Sequence, residues 1–296
     1  MSPMLLYVGS IILKKNYTKK DYYVVKNRKR ERIMASLNLS SVLNARDLGD
    51  YYTKDGIKIK SGTLIRSGHL DKISSEDKDI LKTYNITDIV DFRSEEEITC
   101  KNKLDWTNEH IIDIIDRSKI ENNKLVFIDW SKMEDINEFT QFIKLFNLDT
   151  NDRYVKTITS EFGKSQYKKF FDVLLEAKGS VLFHCVCGKD RTGIAAILLL
   201  GILDVNDKDI IYDFLLTNEY NKKNIETVKQ YFETKTDDED IIEMATVFFE
   251  GVSKDHIENL INYINNNYGS IKNFCIKELQ LNENDIKILK NKYLVN

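Results

Sequence analysis

The chain has 296 residues, 42% of them hydrophobic and 31% charged, enough to bury a full core as one large domain or two small ones. Its formal net charge is −3 with the signs mixed, which speaks against nucleic acid or an anionic membrane surface as a general partner. The four cysteines, Cys100, Cys185, Cys187 and Cys275, do not form a disulfide framework. His184, Cys185 and Cys187 lack the second ligand pair of a zinc site, so neither metal nor cofactor is expected.

The apolar run from Met4 to Leu13 is shorter than the roughly 20 residues that span a bilayer. No basic region precedes it and no small-residue cleavage site follows. No integral membrane segment is expected. A cytoplasmic location is the expectation, with export as the alternative. Residues 1–40 read as an N-terminal β extension with strands over Leu5 to Leu13, Asp21 to Val25 and Arg32 to Leu39. The basic cluster from Lys26 to Arg32 reads as a solvated hairpin tip.

Residues 41–296 follow as the main domain. Asp55-Gly56, between Tyr51-Tyr52 and Ile57 to Ile59, is a hairpin signal. Ser74 or Ser75, followed by Glu76 and Asp77, starts a helix with Ile80 and Leu81 on its apolar face. Thr87 to Phe92 reads as a strand, and in an open α/β sheet ligands collect at strand C-termini. His110 to Ile115 is a further strand. The insertion at residues 117–153 is charged but carries apolar anchors, and from Ile136 onward their spacing predicts an amphipathic helix, either core or lid. Tyr154 to Leu175 predicts one long helix. Later helices are predicted near residues 194–202, 207–219, 222–233, 238–249, 254–266 and 284–293. The sum is an α/β fold: a central, mostly parallel sheet flanked by helices, with a small N-terminal β element and a helical lid.

The chemistry is concentrated in His184-Cys185-Val186-Cys187-Gly188-Lys189-Asp190-Arg191-Thr192-Gly193. A short run of strand formers, Val181 to Phe183, leads in, and a longer apolar run, Ile194 to Leu200, leads out. The segment therefore sits where a strand passes into a helix N-terminus, whose unpaired N–H groups and dipole favour an anion. A cysteine there has its thiolate stabilised. Arg191 adds a planar fork that matches two phosphate oxygens. A thiolate inside a phosphate cradle is suited to taking a phosphoryl group onto sulfur. Thr192 is placed to donate to that sulfur, His184 to support the loop, and Gly188 and Gly193 to permit close packing.

His-Cys-x5-Arg-Thr-Gly resembles the phosphate loop of cysteine-dependent tyrosine and lipid phosphatases. The Gly-Lys-Asp-Arg-Thr-Gly version is similar to their bacterial and fungal branch. Asn44 to Gly49 with Gly62 to Gly68, Asp91-Phe92-Arg93-Ser94 with Glu97, and Asp213 to Asn218 are similar to further elements of that branch. The resemblance implies a tyrosine-phosphatase-like catalytic domain over 41–296. It implies metal-free hydrolysis of phosphate monoesters through a phosphocysteine, with phosphotyrosyl proteins as leading substrate. Phosphoinositides or phosphoserine and phosphothreonine are the alternatives, and a dead phosphate-binding module is the remote one. Cys185 is the expected nucleophile and Arg191 the stabiliser of the transferring group. Asp190 is the expected general acid and base, with Asp116 as second choice.

The sole proline is Pro3, so the acid cannot sit on a Trp-Pro-Asp loop. Val186, Cys187, Gly188, Lys189, Thr192 and Gly193 are expected to line the phosphate. Lys189 is expected as a second cation at the mouth, as in phosphoinositide phosphatase loops. Arg66 and Asp91 are expected either as substrate contacts or as members of buried ion pairs with their neighbours.

Overall fold

The computed structural model describes residues 4–5, 37–100, 104–116, 127–128, 130–133, 135–145 and 152–295. Most of the expected N-terminal β extension and its basic cluster lies outside the described residues. Two of its residues form β1 (Met4–Leu5), antiparallel to β6 (Phe127–Ile128). Residues 37–39, the end of the third expected strand, have no regular structure.

The main sheet has five strands: β2 (Arg46–Asp47), β3 (Leu64–Ser67), β4 (Ile86–Asp91), β5 (Asn108–Ile111) and β7 (Ser180–His184). Their order is β2-β3-β7-β4-β5, with β2 antiparallel to β3 and every other pairing parallel. β7 is central, and all five of its residues are buried, as strands covered on both faces require. His184 is in register with Ser67 of β3 and with Asp91 of β4. Three parallel strands therefore end at one level, and the Cys185 segment leaves the sheet from the middle of them.

Alternation along the strands feeds two cores. Ile65, Ile89 and Leu182 face a cluster completed by Leu81 of α1 (Ser75–Lys82). Leu64, Val90, Val181 and Phe183 face the larger one, with α4 (Glu161–Glu176), α5 (Asp190–Ile202) and α9 (Lys254–Tyr268). α5 is buried from Thr192 to Ile202, which accounts for its apolar run lacking a polar face. A third cluster joins Met133 and Phe139, the latter on α2 (Ile136–Leu145), to Val228 and Phe232 of α7 (Lys222–Glu233) and Phe248 and Phe249 of α8 (Glu239–Phe249). Of the apolar residues in the 117–153 insertion, the described Met133 and Phe139, with Trp130 and Ile136 beside them, pack against the α7–α8 pair.

The helix predicted over Tyr154 to Leu175 is two helices. α3 (Arg153–Thr159) stops at Ser160, which has ψ 141°, and Ser160 then caps α4 by accepting from the Gly163 N–H at 2.9 Å. The apolar period continues across both pieces, so periodicity alone does not register the break. α6 (Asp207–Tyr220) and α11 (Glu283–Tyr293) lie where predicted. α10 (Ile271–Glu278), capped by Ser270, was not predicted. Among the described residues, no helix is long and apolar enough to cross a membrane.

Candidate active site

Between β7 and α5 the chain makes a tight loop whose carbonyls are all tied to the scaffold. The His184 carbonyl accepts from the Phe92 N–H at 2.8 Å, and the Val186 carbonyl from the His69 N–H at 2.9 Å. The His184 ring nitrogen Nδ1 lies 3.1 Å from the Cys185 carbonyl. Asn44 Nδ2 donates to the carbonyls of Cys187 (3.2 Å) and Gly188 (2.8 Å), and Arg66 Nη2 donates to Gly188 at 2.9 Å. In a trans peptide the C=O and the next N–H point in opposite directions. With these carbonyls committed to the scaffold, the N–H groups of residues 186 to 189 point the opposite way, away from those partners. Gly188 makes the turn possible. Its φ is +64°, and a Cβ there would lie 2.3 Å from the Ser67 carbonyl oxygen. A Cβ on Gly193 would lie 2.7 Å from the Phe214 ring, so this glycine lets α6 approach α5.

Arg191 is held as a fork. Nη1 and Nη2 donate to the two carboxylate oxygens of Glu97 at 2.7 and 2.8 Å, and Nη1 reaches the Phe92 carbonyl at 3.3 Å. Burial disfavours the cation, and the Glu97 carboxylate outweighs it, so the guanidinium stays charged. Glu97 is fixed in turn by accepting from the Ser94 N–H at 2.9 Å. The Asp-Phe-Arg-Ser-x-x-Glu element thus delivers an orienting group to Arg191, a role its sequence did not reveal. The Thr192 hydroxyl is buried and, among the described residues, has no hydrogen-bond partner.

Asp190 opens α5 and is a quarter exposed. Its Oδ1 accepts from the Tyr154 hydroxyl at 2.5 Å and pairs with the Arg153 guanidinium. Burial pushes this carboxyl up, but the Arg153 and Lys189 cations and the tyrosine hydrogen bond outweigh it and bring it to about 2. Free Asp190 is therefore a carboxylate. Neither Arg153 nor Tyr154 was identified from sequence, because nothing in their spacing points 36 residues onward to the loop.

Three expected substrate contacts stand elsewhere. Lys189 does not project from the mouth: it is buried, and Nζ donates to the Phe248 carbonyl at 2.8 Å and the Val247 carbonyl at 3.2 Å, at the end of α8. Those carbonyls are helix-terminal acceptors with no intrahelical donor, which draw a cation strongly. Arg66 is fully buried, on Asp213 (2.5 Å) as well as Gly188. Burial, with the Arg46 cation beside it, lowers Arg66 to about 10. Asp91 is buried, bonded to Arg93 at 2.8 Å and 3.6 Å from His184 Nδ1. Both residues take the buried-pair alternative and brace the loop from beneath. Cys187 is half-buried, and burial with the nearby Glu250 carboxylate pushes its thiol well above the usual range, so it is a neutral thiol. Asp116 is buried beyond β5. Among the described residues, no three His, Cys, Asp or Glu side chains are grouped to hold a metal ion.

The sequence model of the tyrosine phosphatase family matches residues 37–295. A Cupriavidus necator protein named as a tyrosine-protein phosphatase is 28% identical over 192 residues, 62% of this chain and 64% of its own length. The triple specificity protein phosphatase PtpB of Mycobacterium tuberculosis is 26% identical over 226 residues, covering 68% of this chain and 78% of its own. A tyrosine-protein phosphatase of Nostoc commune is 24% identical over 164 residues, 55% of this chain and 50% of its own. The chain thus spans just under two thirds of the first of these and half of the third. The match runs through every strand of the main sheet and through the Cys185 loop, and on that ground the chain belongs to the tyrosine phosphatase family.

Proposed function

We propose that this chain hydrolyses phosphate monoesters in two steps through a phosphocysteine at Cys185, with phosphotyrosine in protein as its leading substrate and without a metal. The observation that carries the reading is the anchoring of every carbonyl from His184 to Gly188, which turns the intervening N–H groups away from those partners in a loop that holds a cysteine. A cradle of donors fixed before substrate arrives stabilises the equatorial oxygens of a transferring phosphoryl group with little reorganisation.

In the first step the Cys185 thiolate attacks phosphorus, the bond to the leaving oxygen breaks, and that oxygen takes a proton from Asp190. In the second, water attacks the phosphocysteine, Asp190 takes its proton, the S–P bond breaks, and the thiolate and inorganic phosphate are released. Asp190 rests as a carboxylate, so the first step draws on its protonated form. A phosphate dianion bound beside it raises the carboxyl toward that form. Thr192 is the buried hydroxyl able to stabilise the departing sulfur. The phosphoinositide alternative drew on Lys189 as a second cation as well as on the resemblance to lipid phosphatases; with Lys189 anchored on α8, the resemblance alone supports it. The relative named a triple specificity phosphatase favours a range wider than phosphotyrosine.

The test is rapid-quench turnover of an activated aryl phosphate in EDTA. A stoichiometric burst with a trapped phosphocysteine is expected for the wild type. Cys185→Ser is expected to bind vanadate without turning over. Turnover without a burst, surviving in Cys185→Ser, would refute the nucleophile. Anion binding with no turnover by the wild type would make this a binding module. Phosphotyrosyl, phosphoseryl and phosphoinositide substrates assayed side by side then set the range.

A further inference from the structure

Asp190 is engaged unsymmetrically. Arg153 Nη2 and the Tyr154 hydroxyl both converge on Oδ1, and Arg153 Nη2 also donates to the Tyr154 hydroxyl at 2.8 Å. The three groups close a triangle, stiffened by the Arg153 guanidinium lying 4.7 Å from the centre of the Tyr154 ring. Among the described residues, the buried Arg153 Nε has no partner, and the guanidinium's polar contacts are directed into this triangle. Among the described residues, Oδ2 takes no side-chain hydrogen bond; the Lys189 ammonium lies 3.5 Å from it and is committed to α8. Tyr154 is itself held edge-on between Phe214 at 5.7 Å and His256 at 6.0 Å.

We infer that Arg153 and Tyr154 are positioning residues for the proton-transferring group: they saturate Oδ1 of Asp190 and leave Oδ2 as the oxygen that exchanges the proton with leaving group and water. This rests on the reading of Asp190 as general acid and base. A carboxyl with one oxygen pinned twice rotates little, so the other oxygen is presented in one direction. The pair also holds the carboxylate form at rest, the form that must accept the proton of the attacking water. The other charged or titratable groups acting on this site are Lys189 and Arg191 from the loop, Tyr167 from α4 and His256 from α9. His256, kept neutral by burial first and the Arg153 cation second, adds no competing charge.

Tyr154→Phe keeps both ring contacts and removes only the hydroxyl. Its kcat should fall at least about tenfold for a phosphotyrosyl peptide and much less for an activated aryl phosphate, because only the poor leaving group needs the proton. KM should change little. Loss of a donor to the carboxylate raises the Asp190 pKa, so the basic limb of the kcat/KM profile should move to higher pH. Arg153→Met should move it further, and Arg153→Lys should restore part of the wild-type profile.

The decisive measurement is a double-mutant cycle with Asp190→Asn. If Tyr154 acts through Asp190, its penalty vanishes in the Asp190→Asn background. Additive losses, or a Tyr154→Phe loss equal for both esters with an unmoved pH profile, would overturn the inference while leaving Asp190 as the acid. An Asp190→Asn loss equal for both esters would instead refute the acid assignment itself, and the inference with it.

Discussion

Single residues in this site are readable by the partners they already hold. Arg191 is aligned by a two-pronged bond to Glu97. Arg191→Lys keeps the charge but loses the fork, and kcat should fall about 10²-fold or more, as for loss of a charge-stabilising donor. Burst amplitude and kcat on an aryl phosphate check this. Glu97→Gln keeps size but removes the charge and one of the two acceptor oxygens that grip the Arg191 fork. It should retain most vanadate affinity while lowering kcat, because Arg191 loses its alignment rather than its cation. A larger effect on vanadate affinity than on kcat would show that Glu97 acts on binding. Both residues lie in short motifs legible in the sequence. The bond between them was not, because Glu97 and Arg191 are 94 positions apart.

At the scale of elements, the loop is a shape held by its neighbours. The positive φ and close Ser67 contact of Gly188 make Gly188→Ala a test of that shape. The left-handed conformation alone costs a side chain about 1–2 kcal/mol. The clash with backbone adds to it, so the loop must move. Turnover should fall on the order of 10²-fold, the scale expected for roughly 1 Å of misplacement, and melting temperature should drop. Unchanged kcat would mean that the loop tolerates a different turn. The break at Ser160 belongs to this scale too. A continuous amphipathic pattern made one helix the natural expectation, yet the chain divides there, and the short α3 brings Arg153 and Tyr154 to Asp190.

At the scale of the molecule, the motifs near residues 44–49, 62–68 and 213–218 meet in one buried brace. Arg46 and Arg66 both pair with Asp213, at 2.9 and 2.5 Å, and all three are essentially inaccessible. Asp213→Ala strands two buried cations and should cost about 3–5 kcal/mol in chemical denaturation. A loss under 1 kcal/mol would show that the brace relaxes. Acid should act the same way. The carboxyls of Asp213 and Asp190 are held below their usual values, in both cases by guanidinium partners that outweigh burial, with Asp190 at about 2. A depressed folded pKa gives stability that is present above the unfolded value of about 4 and is lost as pH falls through the folded one. Stability should therefore decline between about pH 4 and 2, and less steeply in Asp190→Asn. An equal slope in that variant would remove Asp190 from the linkage.

The residues proposed as nucleophile, phosphate fork and acid could be singled out in the sequence because they lie within seven consecutive residues, Cys185 to Arg191, whose strand and helix flanks are strong local signals. The α/β class was legible for the same reason, since apolar periodicity is local. What only the tertiary structure decided is where the long charged side chains go. Lys189 was expected at the mouth and is drawn to the end of α8. Arg66 and Asp91 were left between substrate and buried pair and went to the latter. Arg153, unremarked in the sequence, reaches Asp190. A lysine or arginine on a flexible stem reaches any acceptor that packing places within several ångströms, and packing is set by elements distant in the chain. Sequence spacing carries no record of that choice.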